Sequence, residues 1–243
     1  MEEQSERVVV EPGTGFFKVQ ASERVLFLPA GPMARIFAAR FLARKKKTRP
    51  YPARVFRLKR RSREIDLVGP GMGAPVAAMI VEQLIAGGAR KIIALGFAGA
   101  IAPELHIGDL LLVSEAISDE GTSKDYFPEK NPPLASAPLL ASLQAELIKA
   151  GEKFTTGKVF STDAFFRETM SKVERFREKS ALAVEMEMSA LYSLARFRKV
   201  ELAAIVVVSD EWADREWKSG FKSPALLLKF LKAGGLALEA LSQ

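Results

Sequence analysis

Short apolar runs typical of buried β-strands alternate along this chain with longer segments of helical periodicity. The runs "KIIALGFAG" and "GDLLLVSEAI" are continuously apolar, and "ELAAIVVVSD" (201–210) is the richest in β-branched residues. Such runs are typical of strands that are covered on both faces. Because strands that alternate with helices build parallel sheets with helices on either side, the sequence predicts an α/β fold around a largely parallel sheet.

The predicted elements fill a single domain, 1–243, in which residues 1–20 form a flexible extension. Further strands are predicted over 24–30, 53–60, 64–69, 156–161 and 181–187, with 53–60 and 64–69 as a hairpin. Helices are predicted over 32–43, 74–89, 137–150, 168–178, 187–197 and 223–241.

The composition excludes several functional classes. The chain has no cysteine, so it has neither disulfides nor a thiolate nucleophile, and no metal site is predicted. No run approaches the roughly 18 apolar residues of a membrane span, and no signal peptide is recognisable. A cytoplasmic protein without membrane contact is therefore expected.

Positive charge is concentrated in "ARKKKTRPYPARVFRLKRRSR" (43–63), which holds 11 of the 36 lysines and arginines and no acid. One interpretation is a patch that attracts phosphate or nucleic acid, and the other is a solvated hairpin rim. The rim is favoured, and nucleic-acid binding is not expected, because aromatic residues are not interleaved at the spacing of nucleic-acid readers.

Unusual residues coincide with the predicted carboxyl ends of strands, which is where α/β sheets bind ligands. They are Gly71 and Gly73, the glycine-rich stretch 96–99, the acidic stretch 185–187 and Asp210. The segment "GPGMG" (69–73) lacks the glycine spacing of a dinucleotide-binding fingerprint, so it predicts only a tight strand-to-helix turn.

The segment "VEMEMSALY" (184–192) places two glutamates at the end of a short strand. Alternation sends Glu185 and Glu187 to the same side, and a carboxylate that accepts two hydrogen bonds is a natural partner for a vicinal diol. The structural alternative is that one glutamate only occupies the first helical turn and favours the helix dipole.

The segment "VVVSDEWAD" (206–214) ends a buried strand with Ser209 and Asp210. A carboxyl group at the mouth of the sheet is suited to general acid catalysis. The alternative is that Ser209 or Asp210 is the N-cap of the next segment.

The aromatic cluster "FSTDAFF" (160–166) follows a predicted strand. Phe165 is a candidate to face a planar ligand, whereas Phe160 and Phe166 are expected in the core. His106, the single histidine, lies in the turn "PELHIGD" and is interpreted as structural, which disfavours a serine-triad hydrolase.

Five segments, in this order, resemble the nucleoside phosphorylase family of hexameric-type purine nucleoside phosphorylases, uridine phosphorylases and adenosylhomocysteine-type nucleosidases. They are "GMGAPVAAMIVEQLI", "GFAGAIAPELHIGDLLL", "FSTDAFF", "VEMEMSALY" and "VVVSD". The resemblance implies a three-layer α/β/α sandwich around a mixed, largely parallel sheet. It also implies cleavage of the N-glycosidic bond of a nucleoside, with inorganic phosphate as co-substrate, no cofactor, and a homo-oligomer (a dimer or a trimer of dimers).

The same resemblance implies the residues that bind the nucleoside. Glu187 matches the glutamate that clasps the ribose 2′- and 3′-hydroxyls, with Met186 under the sugar and Glu185 beside it. Phe165 matches the aromatic residue against the base. Asp210, next to Ser209 in the base-binding set, matches the acid that protonates a purine at N7.

The resemblance specifies less closely which base is released and whether phosphate or water accepts the ribose. Uridine-specific members carry a Gln-x-Arg pair where this chain has "RETMSK" (167–172), so a purine base is favoured. The resemblance places four residues in the phosphate-binding loops: Gly31, Arg35, Gly96 and Phe97.

Both phosphate loops depart from the family pattern. Ala94 and Phe97 stand where phosphorolytic members have an arginine and a hydroxyl, and "AGPMAR" (30–35) displaces Arg35 by one place. Three outcomes remain open. Arg35, Arg40 or the segment 43–63 rebuilds the phosphate site, water replaces phosphate in a hydrolytic nucleosidase, or the pocket is a catalytically silent nucleoside-binding or interaction module.

Overall fold

The chain folds around one ten-stranded mixed sheet, seen in a computed structural model that describes residues 8–126, 133–213 and 216–243. The strands are β1 (Arg24–Phe27), β2 (Arg44–Lys45), β3 (Arg54–Arg60), β4 (Arg63–Gly69), β5 (Lys91–Ala100), β6 (Leu110–Asp119), β7 (Thr155–Thr162), β8 (Ala181–Glu185), β9 (Glu201–Ala213) and β10 (Glu216–Ser219). The helices are α1 (Met33–Arg40), α2 (Ala74–Ala86), α3 (Ser123–Tyr126), α4 (Ala137–Lys149), α5 (Met170–Arg177), α6 (Met188–Arg198) and α7 (Pro224–Leu241).

Strand β5 is the hub of the sheet. It pairs in parallel with β1 and β9 and antiparallel with β8. Since β9 also pairs with β6, and β6, β7 and β8 follow one another, the strands β5, β9, β6, β7 and β8 close on themselves. The predicted mixed sheet is confirmed, with antiparallel pairings at this closure and at the hairpins β2–β3–β4 and β9–β10.

Helices cover both faces of the sheet, which confirms the predicted sandwich. Residues of α2 and α6, such as Ile80 and Leu191, form one buried cluster with one face of the strands. Residues of α1, α4 and α7, such as Phe37, Leu143 and Phe230, form a second cluster with the other face. The central strands contribute side chains to both clusters, so they are buried on both faces. This explains why they are apolar along their whole length.

The structure differs from the predicted elements mainly at their ends. The short elements β2, α3 and β10 were not predicted, and β9 continues beyond Asp210 to Ala213 because β10 pairs with it. Of the predicted flexible extension 1–20, residues 1–7 lie outside the described residues. In the described parts of the chain, no helix is both long enough and apolar enough to cross a membrane.

Candidate active site

The carboxyl-terminal part of β5 separates two buried acidic side chains on its neighbouring strands. Gly99 lies opposite Val184 of β8 on one side and opposite Asp210 of β9 on the other. A Cβ at Gly99 would lie 2.8 Å from Asp210 Oδ2 and 3.3 Å from Val184 Cγ1. Glycine at this position therefore leaves the space that the Asp210 carboxyl occupies.

Asp210 lies directly after a β-bulge. The register between β5 and β9 shifts so that Ala98 faces Val208 and Gly99 faces Asp210, which leaves Ser209 as the extra residue. Bulges of this kind are common next to active sites, where they redirect a side chain. The interpretation of Ser209 or Asp210 as an N-cap is wrong, because both lie inside a strand.

Two donors hold the Asp210 carboxyl, which is 6% exposed. Ser209 Oγ donates to Oδ1 at 2.6 Å, and Trp217 Nε1 of β10 donates to Oδ2 at 2.9 Å. Ser209, predicted in the base-binding set, is itself buried, and in the structure its hydroxyl contacts protein atoms.

Glu187 lies at the corner between β8 and α6 and is 5% exposed. Its Oε1 accepts a hydrogen bond from the backbone N–H of Gly73 at 2.6 Å. Gly73 has φ +90°, a conformation that favours glycine, so the "GPGMG" turn is shaped to present this N–H. Burial raises the pKa of Glu187, and the neighbouring Glu185 carboxylate raises it further.

Glu185 serves the start of α6. Its Oε2 accepts from the backbone N–H groups of Glu187 at 2.6 Å and Met188 at 2.9 Å, and its Oε1 accepts from Ser161 Oγ. Burial raises the pKa of Glu185, and these donors oppose the rise. The carboxylate thus satisfies N–H groups that a helix start leaves without partners.

Glu187 and Asp210 lie on opposite sides of β5. Asp210 lies at Gly99, whereas the α6 residue next to Glu187, Met188, approaches Gly96. Both residues thus lie beside the carboxyl-terminal half of β5.

The predicted aromatic and sulfur side chains differ in exposure. Phe165 opens a short turn (Phe165–Arg167) after β7 and is 40% exposed, and Met186 is half-buried between the two glutamates. The expectation that Phe166 lies in the core is wrong, because it is 93% exposed. Phe160 is in the core as expected, stacked on Phe176 with ring centroids 4.1 Å apart.

The predicted phosphate positions are only partly suited to an anion. Gly31, with φ +35°, precedes α1, and Arg35 is exposed on the first turn, with no ion-pair partner in the described ranges. The side chain of Phe97 turns toward α7, where its ring centroid lies 4.4 Å from that of Phe230. Ala94 is fully buried in the opposite layer of the core. At Phe97 only the backbone is left for a ligand.

The sequence analysis singled out Gly73, but it missed two residues that act on Asp210 or are affected by its charge, Trp217 and Glu168. The pair of tryptophans in "EWADREWKSG" is the signal that could have indicated a hairpin near Asp210. The half-buried Glu168 directly follows the turn at Phe165, and burial together with the Asp210 charge raises its pKa to about 7. No comparable sequence signal marks Glu168.

The single histidine, His106, lies on the protein surface. The His106 ring is exposed, and its Nδ1 lies 3.4 Å from Glu211 Oε2. Within the described ranges, no group of three or more histidine, aspartate or glutamate side chains is placed to hold a metal ion.

The sequence model of the phosphorylase superfamily matches residues 31–234. The chain is 30% identical over 145 residues to a guanosine phosphorylase of Halorubrum lacusprofundi, which covers 60% of each chain. It is 31% identical over 152 residues to a DeoD-type purine nucleoside phosphorylase of Bacillus cytotoxicus, covering 62% of this chain and 65% of the relative. The match spans less than two thirds of these curated relatives' length.

Among solved structures, the fold is similar to a uridine phosphorylase of Vibrio fischeri, with a TM-score of 0.81 and 26% identity. This similarity covers 91% of the present chain and 92% of the other. The likeness therefore extends over nearly the whole sheet and its helices.

Proposed function

The chain belongs to the phosphorylase superfamily, and on that premise we propose that it cleaves the N-glycosidic bond of a nucleoside by phosphorolysis. The products are the free base and ribose 1-phosphate. The observation that supports this proposal is that buried acidic residues flank β5, since Asp210 of β9 lies opposite Gly99 and Glu187 follows β8, which pairs with β5 on its other side.

Glu187 is proposed to bind the ribose. Gly73 N–H occupies its Oε1 and orients the carboxyl group, so the sugar hydroxyls approach the remaining acceptor sites. Two hydroxyl donors stabilise the ionised carboxylate and so oppose the effect of burial, which raises the pKa of Glu187. Met186 provides the apolar surface under the sugar, and Glu185 acts through the α6 start that it caps.

Phe165 and Asp210 are proposed to meet the base. As the glycosidic bond breaks, positive charge develops on the sugar and negative charge on the base. A proton delivered to the base typically accelerates such a step by about 10²–10⁴-fold. A purine base is supported by the purine and guanosine phosphorylases among the relatives and by the absence of a Gln-x-Arg pair in 167–172.

Phosphate is proposed as the acceptor, bound weakly. Ala94 and Phe97 provide neither the arginine nor the hydroxyl of the family's loop, while the exposed Arg35 offers one cation near Gly31. A lost hydrogen bond to a charged group costs about 1.5–3 kcal/mol, which weakens binding by about 10- to 100-fold. The same two residues favour water as the alternative acceptor, in a hydrolytic nucleosidase.

A nucleoside panel with and without phosphate tests the proposal. Guanosine, inosine, adenosine and uridine are incubated with the protein, and free base and ribose 1-phosphate are quantified by chromatography. We expect purine release with ribose 1-phosphate only when phosphate is present, with no saturation at low phosphate. Base release in phosphate-free buffer would establish hydrolysis, and ligand binding without cleavage would establish a silent module.

A further inference from the structure

We propose that Glu120 is a positioning residue that holds the start of α6 through the hydroxyl of Ser189 and thereby fixes Glu187 for the ribose hydroxyls. This assignment rests on the proposed function, because it takes Glu187 to bind the ribose. Its measurable consequence is the preference for a ribonucleoside over a 2′-deoxynucleoside, since only the ribonucleoside has the 2′-hydroxyl.

Glu120 directly follows β6 and is a buried carboxylate, 9% exposed, with donors on both oxygens. Its Oε2 accepts from the backbone N–H groups of Thr122 at 2.5 Å and Ser123 at 3.1 Å, where α3 begins. Its Oε1 accepts from Ser118 Oγ and Ser189 Oγ, both at 2.9 Å. Burial raises the pKa of Glu120, but the hydrogen bonds outweigh burial and lower the pKa below its ordinary value. The carboxylate therefore joins the start of α3 to helix α6.

Ser189 lies fully buried in the first turn of α6, two residues after Glu187. Its hydroxyl donates to Glu120, and its backbone N–H donates to Ser161 Oγ of β7 at 2.9 Å. Ser161 Oγ donates in turn to Glu185 Oε1, and Glu185 Oε2 accepts the backbone N–H of Glu187. An unbroken series of hydrogen bonds among buried groups thus connects Glu120 with the backbone of Glu187.

The corner that carries Glu187 is held from two directions. The backbone N–H of Gly73, at the start of α2, binds the Glu187 carboxyl group directly. The hydrogen bonds that lead to Glu120 fix the backbone of α6 from the side of β6 and β7. Hydrogen bonds between oxygens form over a narrow range of about 2.5–3.0 Å, so a small shift of α6 weakens the contacts of Glu187 with the sugar.

The variant Ser189→Ala removes the link and leaves Glu120 with its other donors. Ser193→Ala, one turn later on α6, is the matched control, because its hydroxyl is also buried but donates at 2.7 Å to the backbone oxygen of Ser189 within the helix. For each protein, kcat/KM is measured on guanosine and on 2′-deoxyguanosine with phosphate present, together with the melting temperature. We expect Ser189→Ala to lower the guanosine preference, the ratio of the two kcat/KM values, about fivefold, the effect of one lost hydrogen bond. Ser193→Ala should keep the wild-type preference.

The variant Glu120→Gln tests the carboxylate itself. Its amide nitrogen is a donor placed among hydroxyl and N–H donors, so hydrogen bonds of Glu120 are lost without a large change in volume. We expect a loss of guanosine preference at least as large as in Ser189→Ala. Since both side chains act through one hydrogen bond, the double variant should lose less than the product of the two single losses.

The preference for guanosine separates positioning from a purely structural role, which would lower the melting temperature and leave the preference unchanged. Equal changes of preference in Ser189→Ala and Ser193→Ala, or none in Ser189→Ala, would overturn the assignment, and Ser189→Ala decides if Glu120→Gln does not fold. A wild-type preference that Glu187→Gln abolishes and Ser189→Ala retains would overturn the assignment alone. Wild-type protein that cleaves neither nucleoside, or a preference that Glu187→Gln retains, would overturn the proposed role of Glu187 and the assignment together.

Discussion

The Asp210 carboxyl group is held in place by a tryptophan of the adjacent strand β10. Ser219 of β10 lies opposite Asp210, and Trp217 lies opposite Trp212. The hairpin therefore brings the Trp217 indole back over Asp210, and its N–H holds one carboxyl oxygen. The orientation of the carboxyl group depends on this contact.

Replacing Trp217 with phenylalanine removes the N–H and keeps an aromatic ring. A hydrogen bond to a charged group contributes about 1.5–3 kcal/mol, and the half-exposed indole lies at the low end of this range. We expect kcat to fall about tenfold, at 1.4 kcal/mol per decade, with little change in KM. Steady-state kinetics of both variants, with Trp212→Phe as the control, measures the fall in kcat. Equal losses of kcat in the two variants would contradict a specific role of the Trp217 N–H.

Helix α7 illustrates packing at the scale of an element. Its Gly234 faces α1 so closely that an added Cβ would overlap the Phe37 ring, whereas a Cβ at Gly235 would lie 3.7 Å from Phe41. Phe37 has little room to move, because it is fully buried and its ring centroid lies 5.9 Å from that of Phe230. A glycine at 234 thus sets the distance between α7 and α1.

Alanine at these two adjacent glycines should have opposite effects on stability. Alanine in a helix interior is favoured over glycine by about 0.5–1 kcal/mol, which is the expected gain for Gly235→Ala. Gly234→Ala forces a larger group into a filled core, so we expect its free energy of unfolding to fall by about 1–3 kcal/mol. Urea unfolding monitored by circular dichroism compares them, and similar shifts in both variants would refute the packing argument.

At the scale of the whole molecule, folding removes from water two acidic side chains that are close neighbours in the sequence. Glu185 and Glu187 are both buried, and their mutual repulsion adds to the cost of removing them from water. The pKa of Glu187 is raised above its ordinary value of 4.5 in the folded protein. The folded state therefore retains a proton that the unfolded chain releases.

This retained proton predicts the direction in which stability depends on pH. The contribution of Glu187 is fully present below its unfolded pKa and is lost as pH rises through its raised, folded pKa. We expect Glu187→Gln to gain stability relative to the wild type as pH increases from 5 to 9, with exposed Glu104→Gln as control. Melting temperatures across this range provide the test, and a pH-independent difference would argue against a titrating Glu187.

The order of strands and helices could be predicted because each central strand is apolar over its whole length and each helix has its own periodic face. The acids at 187 and 210 stand out for the same reason, since a charged residue at the end of an apolar run is unusual. The elements β2, α3 and β10 are two to four residues long, and their formation depends on partners elsewhere in the chain. The pattern within such a short element does not identify its partner, and only the pair of tryptophans around the β9–β10 hairpin gave a signal.

The sequence by itself determined the α/β architecture and the strand ends that carry Glu187 and Asp210, because neighbouring residues along the chain record which segments avoid water. Only the tertiary structure decided what those groups can do. Gly73, Trp217 and Glu168 come from distant segments, and the Phe97 side chain turns toward α7. Hydrogen-bond donors and desolvation set the protonation of a carboxyl group, and both depend on contacts that form only when the sheet closes.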